Sequence, residues 1–200
     1  MVIVGIAGGS GSGKSTIAYR LIDTYPKISE VLNIDDYQKV QNEKGLPRFK
    51  GKINWDHPDA IDWEKLLNDI KTIQAGSPVT ILTWSHRSNP NYFIHKKMIP
   101  RTIFPRRILI IEGYLALWNK TLRSLYKRSY YLDLDYALIA KRRKKFEDPD
   151  YDVKVLIPMH KKYVEPTKKY ADLVIDASQI GEIDVFKKIE EDLQSNKLFL

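Results

Sequence analysis

The segment Gly8-Gly9-Ser10-Gly11-Ser12-Gly13-Lys14-Ser15 constrains this chain more than any other. It fits the pattern G-x-x-x-x-G-K-[ST]. Residues 2–7 before it are an apolar, β-branched run, and residues 14–25 after it carry Ile17, Ala18, Leu21 and Ile22 at helical spacing. A short run that is apolar on both faces belongs inside a parallel sheet covered by helices on each side. Glycines let the backbone curl until successive N–H groups converge on an anion, and the start of the following helix adds the positive end of its dipole. The pattern predicts a strand–loop–helix unit that holds a nucleoside triphosphate along residues 8–16. Lys14 reaches the β- and γ-phosphates, the Ser15 hydroxyl ligates Mg2+, and Thr16 points toward the α-phosphate. The motif alone does not separate a kinase from a GTPase or a motor.

Strand-like and helix-like stretches alternate along the rest of the chain. Strands are predicted at 28–34, 79–84, 107–111, 130–134 and 173–175. Helices are predicted at 59–74, 115–126, 136–146 and 182–194, with a helix-like stretch at 153–167 that Pro158 should kink. This alternation predicts an α/β fold of the three-layer P-loop nucleoside triphosphate hydrolase type, with a mostly parallel sheet, helices on both faces and a small lid. Two hundred residues suit one domain spanning 1–200. Polar stretches with glycine or proline, 37–58 and 85–106, read as loops on the acceptor side, and 141–157 as the lid region.

In an open parallel sheet, ligands gather at the carboxyl ends of the strands. Glu112 closes the strand run there and is a candidate to hold Mg2+ or a water on it. Asp35 closes the second strand, placed to accept a proton from a hydroxyl or to help hold the metal. Asp36 is the alternative; successive strand residues point to opposite faces, so only one of the two should face the site. Asp135 reads as a helix N-cap.

Charge asks a separate question. Lys and Arg number 33 against 25 Asp and Glu, a net +8, which raises the possibility of a polyanionic partner. Residues 86–169 hold 20 basic and 8 acidic side chains; the remainder is net −4. A basic middle on an acidic frame predicts a local anion site. No RNA-binding signature accompanies it, so a nucleic-acid-binding NTPase is the competing reading from another class. The absence of cysteine excludes disulfides, thiolate metal sites and cysteine nucleophiles. With no basic leader and no apolar run of about 18 residues, the expectation is a soluble cytoplasmic protein with no membrane partner.

Several segments resemble, in order over most of the chain, the uridine kinases of the phosphoribulokinase/uridine kinase group of P-loop kinases. Beside the phosphate loop, Asp35-Asp36-Tyr37 is similar to that family's Asp-Ser-Phe-Tyr. Residues Asn54-Trp55-Asp56-His57-Pro58-Asp59-Ala60 are similar to Asn-Phe-Asp-His-Pro-Asp-Ala. Residues Glu112-Gly113-Tyr114-Leu115-Ala116 are similar to its metal segment, and Glu165-Pro166-Thr167-Lys168-Lys169-Tyr170-Ala171-Asp172 to a segment near its C-terminus. The resemblance implies transfer of the ATP γ-phosphoryl group to a ribonucleoside 5′-hydroxyl, uridine or cytidine, in pyrimidine salvage. It implies Asp35 as base and metal neighbour, Asp56 on the ribose hydroxyls, and Arg142 and Arg143 of the lid on the transferring group. Tyr37, Trp55, Trp84, His86 and Arg87 then fall on the substrate side. ATP, Mg2+ and a nucleoside are the implied ligands, and a homo-oligomer is left open. Two departures stand out. Leu82-Thr83-Trp84-Ser85-His86-Arg87 replaces the family's Pro-x-Tyr-Asp stretch, and the lid lacks Arg-Gly-Arg. Lys141-Arg142-Arg143 and Pro158-Met159 are equally similar to nicotinamide riboside kinase, whose cationic base would suit an acidic lid. A kinase for another small alcohol is the remaining alternative.

Overall fold

In chain order the strands are β1 (Val2–Gly8), β2 (Ser29–Asn33), β3 (Arg48–Phe49), β4 (Lys52–Ile53), β5 (Val79–Thr83), β6 (Ile99–Ile103), β7 (Ile108–Glu112), β8 (Arg128–Asp133) and β9 (Leu173–Asp176). Five of them form one sheet, β2-β7-β1-β8-β9, and every pair in it is parallel. The computed structural model describes residues 1–39, 45–85, 87–95, 97–143 and 149–199, apart from the side chains of Phe93, Ala140, Arg143 and Pro149.

Strand parity sorts the core into two layers. Ile3, Ala7, Leu32, Leu109, Ile111 and Tyr131 face one side, where α2 (Trp63–Gln74) packs Leu66, Ile70 and Ile73. Val4, Ile6, Val31, Ile108, Ile110 and Leu132 face the other. There α1 (Lys14–Thr24) supplies Ile17 and Leu21, and the C-terminal helix Glu182–Ser195 supplies Val185, Ile189 and Leu193. Burial on both faces explains the near-continuous apolar runs of β1 and β7. The result is the three-layer α/β arrangement that the sequence pattern predicts. Among the described residues, no helix is long and apolar enough to cross a membrane.

Several boundaries differ from the expectation. Strand β5 does not join the main sheet; it pairs antiparallel with β6, which lies inside the stretch read as a loop at 85–106. Alternation there is half-apolar, with Val79, Ile81, Thr83 and Ile103 buried, and a half-buried ribbon needs only one covered face. The polar stretch 37–58 likewise holds the β3–β4 hairpin, turning at Lys50 and Gly51, both at positive φ. The helix predicted at 115–126 begins only at Lys120, because the Asn119 side chain accepts the Leu122 N–H at 2.9 Å and caps α4 (Lys120–Leu125) there. Asp62 does the same for α2, accepting from Lys65 N at 2.9 Å. Pro158 does not break its helix. Wider π-type turns, Asp152–Leu156 and His160–Val164, flank it and keep the chain helical on both sides.

Gly5 sits in the middle of β1, where glycine ordinarily weakens a strand. Its reason is Tyr126. A Cβ on Gly5 would stand 2.7 Å from Tyr126 Cε2, and the Tyr126 hydroxyl donates to Ala116 O at 2.9 Å, tying down the turn after Glu112. Gly5→Ala should therefore destabilise the protein by about 1–3 kcal/mol, the usual range for overpacking, measured by urea denaturation.

Candidate active site

The loop between β1 and α1 is built as its motif requires. Gly13 has φ 91°, a left-handed conformation that favours glycine, and it occupies the N-cap of α1. The Ser12 N–H donates to Gly9 O and the Ile17 N–H to Gly13 O. Lys14 is buried, with Nζ 3.5 Å from Gly9 O. Gly9 also permits a close approach: a Cβ there would lie 2.6 Å from His160 Cε1.

Beyond this loop opens a cavity of about 1130 Å3, lined by Lys14, Ser15, Asp35, Asp36, Glu112 and Trp84 among others. Register explains why they meet. Ile6, Glu112 and Asn33 are paired across β1, β7 and β2, so β7 and β2 end level with each other beside the last turn of β1 into the phosphate loop. Glu112 is 5% exposed and its carboxyl is pushed up to about 7, chiefly by burial and against the pull of Lys14. The Ser15 hydroxyl hydrogen-bonds to it. Asp35 is pushed up to about 6 by burial, again opposed by Lys14. Its Oδ1 and Glu112 Oε2 are buried oxygens with no protein partner.

Asp35 and Asp36 lie in a 3-10 turn, Ile34–Tyr37, rather than on a strand, so they diverge by about a third of a turn. Both border the cavity, but their roles differ. Asp36 accepts Thr83 Oγ1 at 2.9 Å and Trp84 N at 3.2 Å, which fixes β5 against β2. Asp35 receives only indirect support: Trp84 Nε1 donates to its backbone oxygen at 3.0 Å. Trp84 thus props the candidate base while it also faces the cavity. The same turn carries Tyr37 away. Tyr37 is 3% exposed and its hydroxyl donates to Asp69 on α2 at 2.8 Å, so it anchors the turn to the core and does not face the cavity where a substrate would sit.

Arg87 borders the cavity, but its guanidinium is paired with Asp23 and lies 4.9 Å over the Tyr19 ring. His86 lies outside the described residues. Arg142, on α5 (Tyr136–Arg143), donates to Gly11 O at 2.8 Å and borders a second cavity of about 300 Å3, with Ala177 and Gly181 opposite. It rests on the outer side of the phosphate loop. The Arg143 side chain lies outside the described residues. Asp56 and half-buried Trp55 stand on the loop after β4. There the Tyr151 hydroxyl donates to Asp56 Oδ2 at 2.7 Å, and the Tyr114 hydroxyl donates to Trp55 O. His57 orders its turn, its Nδ1 accepting from Asp59 N.

Three side chains of the site escaped the sequence reading. Asn33 Nδ2 donates to the Tyr19 hydroxyl at 2.9 Å, and the Tyr19 and Ser85 hydroxyls are hydrogen-bonded at 2.6 Å. Tyr19 had a signal, since it stands four residues after Ser15 on the same helix face. Asn33 had one too, two residues before Asp35. Tyr151 had none, because its partner is 95 residues away.

The residues suit Mg2+. Two buried carboxylate oxygens without partners, one serine hydroxyl and an adjacent phosphate loop match an ion that keeps several waters and takes few protein ligands.

An all-parallel sheet with a glycine-rich loop leading into α1 and carboxylates on the neighbouring strand ends defines a P-loop nucleotide-binding protein. The family model "Phosphoribulokinase / Uridine kinase family" matches residues 3–185. A uridine kinase of Macrococcus caseolyticus is 34% identical over 86% of this chain and 86% of its own length. One of Lactobacillus helveticus is 32% identical over 92% and 89%. Among solved structures, a possible uridine kinase from Bacillus stearothermophilus superposes with a TM-score of 0.61 at 22% identity, covering 88% of each chain. The phosphoribulokinase of Rhodobacter spheroides gives 0.62 at 12% identity, over 88% of this chain and 72% of its own. The chain belongs to the phosphoribulokinase/uridine kinase family.

Asp35 and Glu112 both hold their protons more tightly folded than at the ordinary 3.8 and 4.5. The folded state therefore binds more protons than the unfolded one across that interval, and stability falls as pH rises from about 4 to about 7. Asp35→Asn removes the buried charge. It should raise the thermal midpoint of the nucleotide-free protein by a few degrees at pH 8 and by much less at pH 4, measured by differential scanning fluorimetry.

Proposed function

We propose that this chain transfers the γ-phosphoryl group of ATP to the 5′-hydroxyl of a ribonucleoside, uridine or cytidine, giving the 5′-monophosphate and ADP. Asp35 carries the reading. It is a carboxylate in the turn just after β2 with one oxygen unpartnered, its proton held up to about pH 6, and it lines the same cavity as the phosphate-loop lysine. Such a group takes the hydroxyl proton as the new O–P bond forms and the bond from the γ-phosphorus to the β-bridging oxygen breaks, with the electron pair leaving on ADP. Lys14 offsets charge across the β- and γ-phosphates. Ser15 and Glu112, with Asp35 beside them, would hold Mg2+, which supplies further positive charge to the same oxygens.

Asp56 accepts the ribose 2′- and 3′-hydroxyls in this reading, and Trp55 and Trp84 supply aromatic surface for the base. Arg142 must leave Gly11 O before its guanidinium reaches the transferring group, so lid closure accompanies the reaction. The uridine kinase names of the relatives support the pyrimidine nucleoside. One observation weighs against the cationic base of nicotinamide riboside: the Asp150 carboxylate is already paired with Lys52 at 3.0 Å and Lys154 at 2.8 Å, which neutralises that part of the acidic lid.

A panel of uridine, cytidine and nicotinamide riboside with ATP and Mg2+, read by mass, should yield UMP and CMP. No product from any of them overturns the reading. Asp35→Asn should lower turnover by about 10²- to 10⁴-fold, the range for a lost general base, while calorimetry still shows ATP binding.

A further inference from the structure

Residues 52–57, on β4 and the loop after it, are fastened at five places to residues 150–163, which run from the lid region into the helical segment behind it. Lys52 Nζ is 3.0 Å from Asp150 Oδ2, and Asn54 Nδ2 lies 3.0 Å from Met159 Sδ. The Trp55 N–H donates to the Tyr151 hydroxyl at 3.1 Å, that hydroxyl donates to Asp56 Oδ2 at 2.7 Å, and the Tyr163 hydroxyl and His57 Nε2 are 2.8 Å apart. Tyr151 is the one side chain among them that reaches Asp56 itself.

The direction of these bonds is decided by chemistry. A backbone N–H only donates, so Trp55 occupies a lone pair of the phenol, and the phenol proton is left to point at the carboxylate. Burial and the neighbouring Asp56 charge hold the Tyr151 phenol above its ordinary range, so it remains a donor at any physiological pH. One hydroxyl thereby clamps both the backbone and the side chain of the Trp55-Asp56 pair. A hydrogen bond to a charged acceptor is among the stronger ones. It restrains the orientation of the carboxylate through Oδ2, using one of the several lone pairs that a carboxylate offers.

We propose that Tyr151 is a positioning residue for the acceptor: through its hydroxyl the lid-side helix sets the orientation of Asp56 toward the ribose 2′- and 3′-hydroxyls. The proposal rests on the reading of Asp56 as the ribose carboxylate. Its consequence is that discrimination between ribose and deoxyribose depends on a residue that touches neither ATP nor the reacting atoms. Accepting two neighbouring hydroxyls depends on the orientation of the carboxylate more than accepting one does, so withdrawing this bond should harm the ribonucleoside more than the 2′-deoxyribonucleoside.

The test uses Tyr151→Phe, which keeps the ring and removes only the hydroxyl, beside Asp56→Asn and the unaltered protein. Steady-state kinetics are run with uridine and 2′-deoxyuridine, and folding is checked by thermal melting. The expected result for Tyr151→Phe is a rise in the uridine KM of about tenfold, the lower end for losing a hydrogen bond to a charged group. Its kcat at saturation and its KM for ATP should stay within about twofold of the unaltered values on the same grounds, and its preference for uridine over 2′-deoxyuridine should shrink. A merely structural role would move kcat and the ATP constant together with the uridine KM, and that outcome overturns the proposal. So does an unaltered uridine KM in Tyr151→Phe when Asp56→Asn raises it; in that case Asp56 still binds ribose and only the positioning role falls. If Asp56→Asn itself leaves the uridine KM and the ribose preference unchanged, the ribose assignment fails and the role of Tyr151 fails with it.

Discussion

Parallel pairing of β1 with β7 on one side and β8 on the other is the constraint from which the rest of this molecule follows. Parallel strands all end on the same side, and here Glu112 and Asn33 end β7 and β2 level with Ile6, just before β1 gives way to the phosphate loop. The chain leaves β1 for one flank and later builds β8 and β9 on the other, so the strand order reverses at β1. A crevice opens where it reverses. The phosphate loop, the two carboxylates and the Trp84 prop all enter that crevice from separate segments. Burial on both sheet faces holds the strands that carry the row.

Electrostatics at the row is a compromise. Lys14, Asp35 and Glu112 share a region poor in water, where each carboxylate is disfavoured by burial and favoured by the lysine. Neither has enough hydrogen-bond donors to satisfy it within the protein. Asp36 shows what a fully supported carboxylate looks like one residue away, with donors from Thr83 and Trp84. The contrast separates a strut from a reactive group by hydrogen-bond supply, although the two share residue type and almost the same place in the chain. Sites held ready for charge chemistry are commonly left unsatisfied in this way.

The basic middle of the sequence acquires a different meaning in three dimensions. Arg87, Arg101 and Arg128 pair with Asp23, Glu30 and Asp192, all of them from the acidic remainder. Part of the charge segregation along the chain is thus the fold joining distant segments. The loss of a simple reading here is instructive. Net charge counts residues, whereas an anion responds to those left unpaired and near it. Periodicity told more: it located β1, α1, β7, β8 and the last helix closely, because these bury regular faces. It missed β6 and misplaced the start of α4, where a half-covered ribbon and a single capping asparagine decide the outcome.

The sequence by itself determined the phosphate loop, the α/β class and the candidacy of Asp35 and Glu112, because each depends on local spacing or on a motif that local physics explains, whereas Asp56 became a candidate only through the resemblance of its segment to the family. Only the tertiary structure decided that Asp36 is a strut, that Tyr37 turns into the core, that Arg142 rests on Gly11, and that Tyr151 clamps Asp56. Those outcomes depend on which oxygen or nitrogen lies within about 3 Å after folding, and residues far apart in the chain carry no mutual periodicity by which a reader of the sequence could pair them.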